Sequence, residues 1–233
     1  TRFADLHIDE LKHLLGERNR RDFGRCDLYT SRDLGYSWRR GGNPHEIASK
    51  LYEPNARIPS RVDLRTRGVL ADVKDQGDHC SAGYAFAVTS LVQSITTTEG
   101  DLSVQSLLCD DNNHHCHGGD IHNAMLTAHS NGLPLQDDLP FDVDESRCEQ
   151  IGNNTIYPPS SPCMIKGILT NEYDETNVRE HYIGQFVSKI GPAIVDIPVD
   201  RRFFFYLNGT YTQKDCDDST IIGYQPALII GYG

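Results

Sequence analysis

The stretch Gln76-Gly-Asp-His-Cys-Ser-Ala-Gly-Tyr-Ala-Phe86 joins a glycine-containing loop to a run with helical periodicity. Tyr84, Ala85, Phe86, Val88, Leu91, Val92 and Ile95 recur at spacings of three and four, the pattern of a helix with a wide buried face. Gly100, just past the weakly helical Thr96 to Thr98, is the expected stop. The start of such a helix gathers backbone N–H groups that lack intrahelical partners, together with the positive end of the helix dipole. Both stabilise an anion such as a thiolate or an oxyanion. The stretch therefore predicts a loop-to-helix junction suited to negative charge, with a buried helix behind it.

Gln76-Gly77, then Cys80, then Tyr84-Ala85-Phe86 resembles the active-site signature of the papain-like cysteine proteases, in their cathepsin L-like branch. In that family Gln-Gly, a disulfide Cys, Gly-Ser and the nucleophilic Cys precede Trp-Ala-Phe. Anchoring on Tyr84-Ala85-Phe86 puts Gly83 at the nucleophile position and Cys80 at the disulfide position, with an additional residue between Gly77 and Cys80.

The resemblance extends along most of the chain. Ile58-Pro-Ser-Arg-Val-Asp-Leu-Arg65 is similar to the family's mature N-terminus, with Leu64 in place of Trp. Leu102-Ser103, Gln105, Leu107 to Cys109, the run Cys116-His-Gly-Gly119, and Leu139-Pro-Phe141 with Cys148 match further family anchors in order. Beyond about residue 163 come strand-like or aromatic runs, namely Gly191 to Ile197, Phe203 to Tyr206, Gly209 to Tyr211 and Ala227 to Gly233. The expected fold is α+β, a two-lobed papain-like architecture with a mainly helical lobe (58–162) and an antiparallel β-barrel-like lobe (163–233). Part of the family domain would follow Gly233, including strands beside Gly231-Tyr-Gly233. Residues 1–57 are polar and arginine-rich, with a short helical pattern at Leu6, Leu11, Leu14 and Leu15. Their opening Phe3-Ala-Asp5 resembles the end of a cathepsin prosegment motif, which implies that 1–57 is the C-terminal part of a propeptide. Residues from about 26 to 57 are expected to stay attached and cover the cleft.

A papain-like site needs a Cys nucleophile, a His as acid and base, an Asn to orient the His, and a Gln at the oxyanion. By the resemblance Gln76 keeps the last role. Gly83 has no side chain to attack with, and Gln225 stands at the His position, where an amide cannot titrate. The Asn would lie beyond Gly233. Losing the nucleophile of a protease of this type costs on the order of 10⁶ in turnover. The reading is a pseudo-protease that acts by binding or as a decoy. Two alternatives stand beside it: an active endopeptidase with Cys80 as a rearranged nucleophile, and a storage or structural protein.

Features of peptide binding survive better. Gly118 and Gly119 match glycines whose backbone pairs with an extended peptide in the family. By the resemblance Asp196 falls where the family lines its main specificity pocket, beside Asp120 and Ile121; surface solvation accounts for an acidic Asp196 almost as well. Phe203 to Tyr206 is read as core packing in preference to a binding patch.

The resemblance implies disulfides Cys80–Cys116 and Cys109–Cys148. Cys26 and Cys163 would be extra and able to pair, and Cys216 would bond beyond Gly233. The sequons at Asn153 and Asn208 point with the cysteines to a secretory, lysosomal or vacuolar setting. His114, His115, Cys116, His117 and His122 invite a metal reading, but ligands packed at adjacent positions are unusual for a structural site, and a solvated loop is preferred. No cofactor is expected. With 233 residues, 38% hydrophobic and 24% charged, the chain can bury a substantial core. A net charge of −11 argues against nucleic acid, and no apolar run is long enough for a membrane span. The expected partner is a peptide or protein: an inhibitor, a receptor or the chain's own prosegment.

Overall fold

The apolar stripe after the glycine loop forms helix α1 (Gly83–Thr96), which buries Tyr84, Ala85, Val88 and Val92. Ile95, expected on that face, is 39% exposed, because the helix ends one residue later. Near that end Ser94 and Thr96 donate their hydroxyls back to the carbonyls of Leu91 and Val92, and Gly100 adopts a left-handed φ of 87°. The computed structural model describes residues 11–12, 14–15, 57–96, 98–110, 113, 115–142, 148, 155–158, 176–189, 191–211 and 220–233. The chain divides into two compact units that interleave in sequence. One comprises Thr1–Asn19, Val69–Ser160 and Ile194–Leu228; the other comprises Arg20–Gly68, Ser161–Ala193 and Ile229–Gly233.

In the first unit α1 packs on α2 (Gln105–Leu108) and α3 (Ile121–Asn131). Leu102, Val104, Leu107, Leu108, Ala124, Ala128 and Leu133 complete a core with the α1 stripe, as helical and extended periodicity require. The Leu-Ser-x-Gln motif supplies the polar joints of that core. Ser103 donates to the Leu139 carbonyl at 2.6 Å, and the buried Gln105 side chain accepts from the Asp142 N–H at 2.9 Å. Strand β2 (Leu133–Pro134) pairs antiparallel with β3 (Thr155–Ile156). Disulfides join Cys80 to Cys116 and Cys109 to Cys148, across sequence separations of 36 and 39. Loop closure on that scale restrains the unfolded chain by about 4 kcal/mol per bond.

Strands β4 (Ala193–Val199) and β5 (Gly223–Ile229) pair with each other. Two sequence expectations fail just after β4. Arg201–Phe205 is a 3-10 turn where a strand was expected, and residues 209–211 form no strand. The cause is local. Asp200 caps the turn by accepting from the Arg202 N–H, and its carboxylate also takes the Arg202 guanidinium. The aromatic run is only partly core: Phe203, Phe204 and Phe205 are half-buried, and Tyr206 is 45% exposed. Asp200 itself is buried, and the Arg202 guanidinium first, with the Tyr211 hydroxyl behind it, holds its carboxyl below the ordinary carboxylate value.

In the second unit β1 (Val62–Asp63) pairs antiparallel with β6 (Gly231–Tyr232), in the register Val62 to Tyr232 and Asp63 to Gly231. The Gly-Tyr-Gly strand thus finds its partner near the expected mature N-terminus. A Cβ on Gly231 would stand 2.3 Å from the Val62 carbonyl oxygen, so only glycine permits this approach. Asp63 caps a 3-10 turn (Leu64–Arg67), and the Arg65 side chain, bonded to it, draws its carboxyl down to about 2. Helix α4 (Thr176–Lys189) presents Gly184 to Ile58 and Tyr232.

Gly119 lies flat against the ring of Tyr84: a Cβ there would meet three ring carbons at 2.5–2.6 Å. Overpacking of this kind costs about 1–3 kcal/mol. Gly119→Ala is therefore expected to lower stability in chemical denaturation by that amount, and Tyr84→Leu in the same chain to recover part of it. An unchanged midpoint for Gly119→Ala would show that the ring is not held there.

Candidate functional site

The loop ahead of α1 is held at both ends. The Cys80–Cys116 bond is followed by a hydrogen bond from the Ser81 N–H to the Cys116 carbonyl at 2.9 Å. The Ala82 carbonyl then accepts from Ala85 and Phe86 at 2.9 and 3.0 Å and starts the helix. Gly83 is therefore the first helical residue, and it is buried. Next to it the Tyr84 hydroxyl donates to the His115 carbonyl at 3.1 Å, while burial, and then the charge of Asp110, push its phenol above the ordinary value. It remains a neutral donor. The position has the polarity of an anion-holding helix start, with no side chain projecting from Gly83.

Gln76 precedes a turn in which the Gly77 N–H bonds the Asp75 carboxylate at 2.8 Å, with Gly77 at a φ of 77°. Its side-chain amide donates to the carbonyl of Leu14 at 2.9 Å. Leu14 belongs to a helical turn in which the Leu14 and Leu15 N–H groups bond back to Leu11 and Lys12. The side chains of Leu11, Leu14 and Leu15 are buried, and the turn belongs to the first unit. Leu15 lies on Gly223 of β5, where a Cβ would stand 2.3 Å from the Leu15 Cδ1.

Side chains two apart on a strand share a face, so Gln225 projects from β5 on the side that receives Leu15. Its amide Nε2 donates to the Pro226 carbonyl at 3.4 Å. The Leu14–Leu15 turn thus joins the neighbourhoods of two residues singled out from sequence, Gln76 through a hydrogen bond and Gln225 through the shared strand face. Glycine, glutamine and glutamine offer hydrogen bonds and room, and none of them titrates near neutral pH.

The remaining candidates take structural positions. Gly118 and Gly119 are both buried, Gly118 with a left-handed φ of 81°. Asp120 is the N-cap of α3 and accepts from the Asn123 N–H at 3.0 Å; Ile121 opens α3 and is buried with the core. Asp196 is a half-buried residue of β4. Cys80, the alternative nucleophile, is in a disulfide and presents no thiol. His115 and His117 form a short 3-10 turn, and among the described residues no group of His, Cys, Asp and Glu could hold a metal ion. Asn208 is exposed, whereas Asn153, Cys26, Cys163, Cys216 and the stretch 26–56 lie outside the described residues. Sequence reading missed Gly223. A glycine inside a strand is itself a signal of close approach by another chain segment.

Residues 58–233 match the family model described as papain family cysteine protease. The chain belongs to the papain family. It is 29% identical over 190 residues to cathepsin R of Mus musculus, covering 78% of this chain and 53% of that protein. With cathepsin K of Gallus gallus it shares 32% over 193 residues, 78% of this chain and 54% of that one. The chain therefore spans about half the length of these papain-family relatives. Among solved structures, a digestive procathepsin L2 from Tenebrio molitor larval midgut superposes with a TM-score of 0.62 at 21% identity, covering all of this chain and 68% of that one. A procathepsin L 3 from the same source gives 0.65 at 20%, over 99% and 66%. At such identities these two establish the fold alone, the two-lobed α+β papain-like fold.

The seat for Leu15 on Gly223 is open to test. Gly223→Val should release the turn, seen as faster hydrogen exchange at residues 11–15, and Leu15→Ala combined with it should restore part of the protection. Unaltered exchange in Gly223→Val would mean that β5 does not hold the turn.

Proposed function

We propose that this papain-family chain is catalytically inactive and acts by binding, as a decoy or a capture module, with its peptide-binding surface covered by its own N-terminal segment. One observation carries the reading: a residue without a side chain heads α1 while the Gln76 amide is taken by the Leu14 carbonyl. In this reading Gly83 stands at the nucleophile position, Gln225 at the position of the His, and Gln76 is a retained oxyanion donor. A Gln in place of His can orient a peptide but cannot accept and return a proton. By the family resemblance Gly118, Gly119, Asp120, Ile121 and Asp196 stand where a peptide would bind, the first four now buried and Asp196 half-buried. Residues 1–57 act as a retained propeptide joined to the domain 58–233. A chain without nucleophile and base cannot remove that segment itself.

The likeness to procathepsin structures supports a proenzyme-like organisation. The segment that favours it is Leu11 to Leu15, earlier in the chain than the stretch 26–57 expected from sequence. Two disulfides fit passage through an oxidising secretory route, to the outside or to a lysosomal or vacuolar compartment, and the exposed sequon at Asn208 fits glycosylation there. Among the described residues no helix is long and apolar enough to cross a membrane. Partners in this reading are proteins or extended peptides, such as an inhibitor or a receptor; a net charge of −11 disfavours nucleic acid.

The test uses fluorogenic peptides with basic or hydrophobic residues at the second position before the scissile bond, together with a thiol-alkylating active-site probe. Both the native chain and the Gly223→Val variant should show no turnover and no labelling, a deficit on the order of 10⁶ against an intact site. Turnover with labelling at Cys80 would overturn the proposal and make this an enzyme with a rearranged nucleophile.

A further inference from the structure

Outside the family site lies the turn that carries Asn208-Gly209-Thr210. Residues 206–210 are exposed throughout, and Gly209 has a φ of 89° with nothing within 4 Å of where a Cβ would stand. The turn is closed by the Tyr206 hydroxyl, which donates to the Gly209 carbonyl. That bond ties the residue two before Asn208 to the residue one after it, so the Tyr206 side chain spans the turn that presents the asparagine. The ring is itself anchored from beneath. It meets Tyr211 edge to face with centroids 6.3 Å apart, and the Tyr211 hydroxyl donates to the buried Asp200 at 3.0 Å.

The arrangement leaves an aromatic residue, 45% exposed, fixed on the open turn that carries a sequon asparagine. A free tyrosine would lose side-chain entropy on packing against a ligand; here the turn and Tyr211 have already restricted it. An aromatic face carries negative partial charge, and the axial C–H groups on one face of a pyranose ring carry the complementary positive charge. We propose that Asn208 carries an N-linked glycan whose first N-acetylglucosamine packs on the Tyr206 ring, so that the sugar is part of the folded surface and not a loose appendage. The proposal rests on the secretory reading above and adds a seat for the sugar.

The experiment uses the full chain secreted from a eukaryotic cell, with native and Asn208→Gln forms made in the Tyr206, Tyr206→Phe and Tyr206→Ala backgrounds. Glycopeptide mass spectrometry should find Asn208 occupied. Loss of the glycan should lower the thermal midpoint by about 2–4 °C with Tyr at 206, the shift that goes with a stabilising contact in a domain of this size, by less with Phe, which keeps the ring without the hydroxyl tie, and by nothing with Ala. Ring-current upfield shifts of the first sugar's protons should appear in the native and Phe forms, and this readout holds even where the Ala variant folds poorly. An unmodified Asn208 in the secreted protein would overturn the glycosylation reading and the proposal together. An occupied Asn208 without upfield shifts, or with the same midpoint change in all three backgrounds, would overturn the packing alone.

Discussion

The covalent bond between Cys80 and Cys116 is the constraint on which the first unit depends. It fixes the loop ahead of α1 against the segment that leads to Gly118 and Gly119, and the Ser81–Cys116 backbone bond repeats the tie one residue on. With the two segments held together, the Tyr84 ring packs on the bare backbone of Gly119, and its hydroxyl reaches the His115 carbonyl. The disulfide also has a chemical effect, since a sulfur shared with Cys116 offers no thiolate beside Gly83.

Magnitudes separate what the site retains from what it lacks. A hydrogen bond such as that from Gln76 to Leu14 is worth about 1 kcal/mol net. In the proposed account the missing nucleophile corresponds to about six orders of magnitude in rate, or roughly 8 kcal/mol of barrier. No adjustment of amides near Gln76 and Gln225 closes a gap of that size. Burial of Leu11, Leu14 and Leu15 with the first unit adds several kcal/mol of apolar contact, on the order of 1.5–3 per side chain, that keeps the turn on Gln76 and Gly223. In the proposed account the segment is held by the same forces that hold the core.

Much of this was readable from residues because the informative positions are ones where a single residue type is required. The buried stripe of α1 and the Leu-Ser-x-Gln motif depend on local periodicity and local hydrogen bonding, and both hold in the structure. The aromatic run after Asp200 was misjudged because strand propensity was weighed without the cap. One aspartate that binds Arg202 through both backbone and side chain outcompetes the β preference of three phenylalanines. The seat of Leu15 was hidden for a different reason: it joins residues more than two hundred positions apart, and no spacing rule reaches that far. Only the unexplained glycine at 223 marked it.

The most direct measurement of the central claim is covalent labelling by an irreversible thiol-directed active-site probe in the native chain and in the Gly83→Cys Gln225→His variant, read by peptide mass spectrometry. The account predicts no adduct in the native chain and an adduct on the residue introduced at position 83 in the variant, because the proposed reading puts the first residue of α1 at the position of a papain-family nucleophile. An adduct in the native chain, or a folded variant that stays unlabelled at position 83, would contradict it.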